Sequence, residues 1–223
     1  MITKTKLLPP VVLAGAMLAA TPAVAQVAGI ATSSPEAVIV RSQARIAAYQ
    51  QIETQYAAQI QQVRTLRQET ATLQQSLDTN KDGQLSQQEV QANPAVVQQI
   101  QQKEQAMQVA SQPIVLAQTY AIEQLINDYP NVQQQVVNQK KIQIMLTPDS
   151  IQYAPDAINV TDDMVAVLNQ RVPSVQIAPP ADWRPRQESL QTQQAVSQII
   201  LSVVQQQAAQ QQAAQQQQQP SGR

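Results

Sequence analysis

Between Glu36 and Leu77 the chain carries neither proline nor glycine. Within that run Tyr49, Tyr56, Val63, Thr70 and Leu77 recur every seven residues, and Ile52, Ile60, Leu66 and Leu73 fill the intervening steps of three or four. This is the seam of a coiled-coil helix, and roughly 40 residues at 1.5 Å per residue extend about 60 Å. The rest of its surface is glutamine, threonine and scattered charge. One apolar stripe on so long a helix needs a partner helix, because a lone helix of this kind gains too little from its own hydrogen bonds. Ser33 and Ser34 are placed to cap it, and Pro35 suits its first turn.

Twelve residues then interrupt the pattern, Asp78 to Glu89. They match the calcium loop D-x-[DN]-x-[DN]-G-x5-E, with Gly83 for the sharp turn. Asp78, Asn80 and Asp82 supply hard oxygens at alternate positions. Gln84 would offer its backbone carbonyl, Ser86 its hydroxyl or a bridging water, and Glu89 a bidentate carboxylate. Leu85 would pin the loop inward. The competing reading is a polar turn, which selects the same Asp, Asn and Gly residues. A single such loop predicts weak Ca²⁺ binding, on the order of 10⁻⁴ to 10⁻³ M. Beyond Asn93-Pro94 a second helical run carries Val97, Ile100, Met107, Ile114, Ala117 and Leu125 at similar spacing. The two runs predict a long antiparallel helical hairpin with the loop at its tip. Glu104 falls at a seam-like position, Pro113 is expected to kink the second helix, and Tyr129-Pro130 to end it.

A short helix to about Asn138 is expected next, then a β-hairpin of Ile142 to Leu146 with Ile151 to Tyr153. Val27 to Thr32 reads as a strand near the start. Thr161 is placed to cap a short helix with Asp162 and Asp163 in its first turn and Met164, Val165, Val167 and Leu168 on its buried face. Pro179, Pro180 and Pro185 mark a linker around Trp183, whose ring is expected to pack on the body. A short amphipathic helix follows, and from Gln205 a Gln/Ala tract reads as disordered or weakly helical. At the other end, Lys4 and Lys6, the apolar run Leu7 to Ala20 and Ala23-Val24-Ala25 predict a secretory signal in residues 1–25, cleaved after Ala25. The division expected is thus 1–25 signal, 26–178 main domain with its arm at about 35–127, and 179–223 linker, helix and tail. No later run is apolar enough to span a bilayer.

Composition removes whole classes of chemistry. The chain has no cysteine and no histidine. Disulfides, thiol chemistry, Ser-His-Asp catalysis and the usual zinc sites are therefore out of reach. An enzyme is not expected. The net charge of −1 gives no electrostatic reason to bind nucleic acid. With 3% aromatic residues and no Phe, extended helices with a narrow seam are expected rather than one large core. The fold class expected is α+β, mostly α, with a helical arm on a small β-body.

The order of strand, long helical hairpin, strand pair and short helix resembles the Skp/OmpH family of periplasmic chaperones. Lys140-Lys141-Ile142-Gln143-Ile144-Met145-Leu146 resembles its basic, then apolar, strand segment. Ser150-Ile151-Gln152-Tyr153-Ala154 is similar to its second strand, and Asn159-Val160-Thr161-Asp162-Asp163-Met164 to its "D-I-T-D-x-V" helix start. With the first strand and Ser33 to Tyr49, the resemblance covers about residues 26 to 172. It implies a homo-trimer whose short strands assemble a shared β-body, with three arms that hold unfolded outer-membrane β-barrel proteins in the periplasm without ATP. Family arms are often strongly basic, whereas here Glu53, Glu69, Glu89 and Glu104 balance Arg45, Arg64, Arg67 and Lys103. The calcium-type loop and the tail beyond Pro179 also lie outside the family pattern. The alternative function is a periplasmic structural or adaptor protein with a calcium-stabilised arm tip.

Overall fold

The computed structural model describes residues 29–217, so the expected signal and its cleavage site lie outside the described residues. The chain begins with strand β1 (Ile30–Thr32) and enters three consecutive helices, α1 (Pro35–Arg41), α2 (Gln43–Gln55) and α3 (Ala57–Leu77). Ser34 caps α1, accepting a hydrogen bond from the Ala37 amide, with Pro35 in the first turn as the sequence indicates. The long run is nevertheless not one helix. Ser42 adopts an extended conformation and its hydroxyl caps α2 by accepting from the Arg45 amide. A second break falls at Tyr56.

The heptad seam is real. Ile52, Val63, Thr70 and Leu77 are buried, and α3 packs along α5 (Pro94–Lys140) through Ile100 and Ala110 on the facing helix. Lys103 Nζ bonds Glu69 Oε2 at 2.5 Å across the pair. Glu104, placed at the seam by spacing, instead stands in solvent.

The helix α5 corrects the expectation of a break at Pro130. It runs without interruption through both Pro113 and Pro130 over 47 residues. Each proline forfeits a backbone hydrogen bond at a cost of about 3 kcal/mol in an isolated helix. Burial on α5 offsets it: Ala117, Ala121, Ile122, Leu125, Val132 and Val136 are completely covered. Ile122, Leu125, Val132 and Val136 share the body's core with Val38 and Ile39 of α1 and Met164 and Leu168 of α6 (Thr161–Arg171). Arg171 bonds Asp128 with two parallel contacts of 2.7 and 2.8 Å, tying α6 to α5. The α6 start differs from expectation, since Val160 occupies the cap position and Asn159 Oδ1 accepts from the Thr161 amide. Asp162 and Asp163 do lie in the first turn, paired with Arg41 and Lys140.

Lys141, in the left-handed conformation at φ 55°, ends α5 and turns the chain into β2 (Ile144–Leu146). Here the expected β-hairpin is overturned. β2 pairs in parallel with β1, Ile30 opposite Ile144 and Thr32 opposite Leu146, and Ile151 to Tyr153 forms no strand. A Pro148–Ser150 turn leads that segment away from β2. The other side of β1 is taken by Asn159, bridged to Thr32. Gly29 opens the sheet at φ 84°, its carbonyl accepting from both Gln143 and Ile144 amides. The helix expected after the linker extends through the Gln/Ala tract as α7 (Gln187–Gln217).

Two substitutions probe this packing. Leu125→Ala, at the centre of the body, is expected to cost about 2–5 kcal/mol in urea unfolding followed by circular dichroism. Thr70→Val should gain about 1 kcal/mol, because the Thr70 hydroxyl is buried in the arm seam without a partner.

Candidate functional site

Of the residues predicted to ligate calcium, Asp78, Asn80, Asp82, Gln84 and Ser86 lie between α3 and α4 (Gln87–Ala92), and Glu89 lies in the first turn of α4. The loop folds around its own backbone amides. Asp78 accepts from the Asp82 and Gly83 amides at 3.2 and 2.9 Å, and Asn80 Oδ1 accepts from Asp82 at 2.9 Å. Asp82 Oδ1 accepts from the Gln84 amide at 2.8 Å. Gly83 supplies the turn at φ 80°, and Lys81 is left-handed as well at 58°. The side chains of Asp78, Asn80 and Asp82 are therefore all engaged in one turn.

Glu89 is not gathered with them. It forms a capping box with Ser86, its Oε2 accepting from the Ser86 amide and hydroxyl at 3.0 and 2.8 Å. Its Oε1 accepts from the Thr79 amide and hydroxyl and from the Asn80 amide, at 2.8 to 3.2 Å. Five donors thus occupy a carboxylate that a calcium ion would need bidentate. Among the described residues no group of three or more Asp, Glu, His or Cys side chains is arranged to hold a metal ion. To complete a calcium sphere with Asp78, Asn80 and Asp82, Glu89 would have to give up these bonds. Leu85, expected to point inward, is 43% exposed. Gln84 gives its amide to Asp82, and Ser86 spends its hydroxyl on the cap.

The same bonds set the acidity of Glu89. Donation from Ser86 first, then from Thr79 and Asn80, holds its carboxyl down at about 2, against an ordinary 4.5.

A second cluster joins the body to the C-terminal segment. Glu123 of α5 accepts from Trp183 Nε1 at 3.1 Å and Ser189 Oγ at 2.6 Å, and pairs with Arg186 at 3.6 Å. Burial pushes the Glu123 carboxyl up, but the donors from Ser189, Trp183 and Arg186 outweigh it and leave it lowered. The Trp183 ring stands edge-on to Tyr120 at 5.1 Å, so the indole packs on the body as expected. Beside it, both ends of the Gln124 amide clasp the backbone of Gln176 at 2.8 and 2.9 Å. Neither Glu123 nor Gln124 is marked in the sequence, because their partners lie 52 to 66 residues away.

The third feature is the open sheet. Ile30, Ile144 and Leu146 expose apolar surface on its two strands. Two strands of three residues offer too few ladder bonds to stand alone, and with β1 bridged to Asn159 the outer edge of β2 is the one left for pairing among the described residues.

The family model for outer membrane protein (OmpH-like) matches residues 29–168. The chain belongs to the OmpH-like family. The match begins at the glycine that opens β1 and ends on α6, so it takes in the body and the arm and stops before the linker and α7. This is a chaperone family and not an enzymatic one. A crystal structure of a candidate outer membrane chaperone (OmpH-like) from Caulobacter crescentus CB15 is similar at 21% identity, covering 72% of this chain and 92% of that one, with a TM-score of 0.42. No curated protein matches the chain. No helix among the described residues is long and apolar enough to cross a membrane.

The cap gives the OmpH-like arm tip a pH dependence of defined sign. A carboxyl with a lowered folded pKa stabilises the fold above its ordinary value and loses that contribution as pH falls. Hydrogen-exchange protection of residues 78–93 should be full above pH 4.5 and decline towards pH 2. Glu89→Gln should flatten that profile and leave the tip less protected at pH 7.

Proposed function

We propose that this chain is an ATP-independent periplasmic holdase, which binds unfolded outer-membrane β-barrel proteins after export and prevents their aggregation. The observation that carries the reading is the OmpH-like match over the whole arm and body. In this reading α3 and α5 form an antiparallel coiled-coil arm. Three copies share one β-body, each contributing the open edge of β2 and the apolar side chains of Ile30, Ile144 and Leu146. The signal-like residues 1–25 support a periplasmic location.

The arm's chemistry suits such a task. Its outer faces are mostly glutamine and alanine, and Lys103 is paired with Glu69. Contacts with an unfolded chain would then be numerous, individually weak and indifferent to sequence. Weak contacts release a client once folding or insertion offers it a better state, and no nucleotide is needed to reset them.

Calcium enters as a modulator of the tip. Asp78, Asn80 and Asp82 already converge, and Glu89 would have to leave its cap to join them. The loss of five hydrogen bonds makes binding weak, in keeping with a single loop of this class.

Light scattering of a urea-unfolded outer-membrane barrel protein, diluted into excess residues 26–223, tests the reading. Suppressed scattering is expected. Undiminished scattering, with a pull-down returning one folded partner, would replace the holdase by the adaptor. Run with calcium and with chelator, the assay should differ between the two conditions, and Asp78→Ala should abolish the difference.

A further inference from the structure

The helix α7 lies beyond the family match and is only half seated. From Ser189 to Ile200 it rests on α1 and α5, with Ser189, Gln193 and Val196 buried and Ile200 packed against the core. From Leu201 to Ala214 every residue is exposed. Leu201, Val203 and Val204, in the first turn past the seat, are 57, 44 and 55% exposed. Contacts step backward along α5 as they step forward along α7: Arg186 to Asn127, Ser189 to Glu123, Gln193 to Gln118. Two of the three residues buried in the seat are polar, and their bonds go to polar side chains of α5. The connection behind them is a proline-containing segment latched mainly through one carboxylate, Glu123.

An interface of this kind is held by polar contacts over a small apolar strip, with an apolar end left open. It is built for exchange. We propose that the face of α1 and α5 beneath α7 is a second client-binding face, that its ligand is an apolar segment of an unfolded protein, and that α7 is a tethered occupant the client displaces. The chemistry of the ligand is read from the present occupant, a short amphipathic segment that places Val196 and Ile200 on the core. Leu201, Val203 and Val204 offer an incoming segment its first apolar contacts, and undocking then proceeds towards Glu123. The body beneath retains the whole family-matched region, so opening the seat need not unfold it. The inference rests on the holdase reading and adds a self-covered site to it.

The absence of cysteine makes a direct test possible. Gln118→Cys with Gln193→Cys, in the chain 26–223, is joined by a short bis-maleimide or, in a parallel sample, capped with N-ethylmaleimide. Both samples carry the same substitutions, so only the freedom of α7 differs. The joined form should suppress aggregation of a unfolded barrel protein markedly less than the capped form, and equal suppression would overturn the proposal. A second measurement uses the lone Trp183 as reporter and a labelled peptide of residues 187–204 as probe. Glu123→Gln weakens a charge-assisted latch and should raise the apparent peptide affinity about tenfold, with a red shift of Trp183 emission. The joined form should show neither. If neither cross-linked nor capped protein suppresses aggregation, the holdase reading fails, and the peptide result alone decides the seat. No peptide binding and no Trp183 shift in Glu123→Gln would then refute it.

Discussion

The body depends on a single shared wall, the face of α5 from Ala117 to Val136. Helices α1, α2, α6 and α7 all pack against this helix, and several of its side chains are wholly removed from water. Because α5 also packs along α3, one helix runs through both the arm and the body. The prolines at 113 and 130 are tolerated for that reason. The apolar area lost by breaking the helix would exceed the hydrogen bonds that the prolines forfeit. The sheet, by contrast, is a minor contributor, and Ile30, Ile144 and Leu146 on its strands stay exposed.

The arm was the most legible part of the sequence. A seven-residue period over forty residues has few other meanings, and Ile52, Val63, Thr70 and Leu77 are buried where it places them. The breaks at Ser42 and Tyr56 were missed because neither residue forbids a helix. Ser42 is drawn out by its capping bond to Arg45, which competes locally with helical geometry. Pro130 misled in the opposite direction, since local propensity yields to tertiary burial. The error over Ile151 to Tyr153 has a different origin. A three-residue alternation does not specify a partner, and β1, far away in sequence, claims β2 instead. The Glu123 latch was invisible for the same reason of distance, although a lone Trp in a proline-containing linker was a fair sign that the segment docks.

At the tip, residue identity and arrangement part company. The loop residues that ligate calcium elsewhere are the ones that close tight turns, since both tasks call for short oxygen-bearing side chains and one residue free to take positive φ. Here the turn is satisfied from within, and Glu89 is committed to the helix it begins. A tip closed by its own hydrogen bonds can remain folded at the end of a long arm without metal. The arm's outer faces and the strands of the sheet are exposed, whereas the face of α1 and α5 beneath α7 is covered.

The central claim is that this chain assembles around its open sheet and holds an unfolded protein without an energy source. Native mass spectrometry of residues 26–223, mixed with one unfolded outer-membrane barrel protein and no nucleotide, measures both parts at once. The account predicts a trimer and a trimer carrying a client. A monomer that carries none would contradict it.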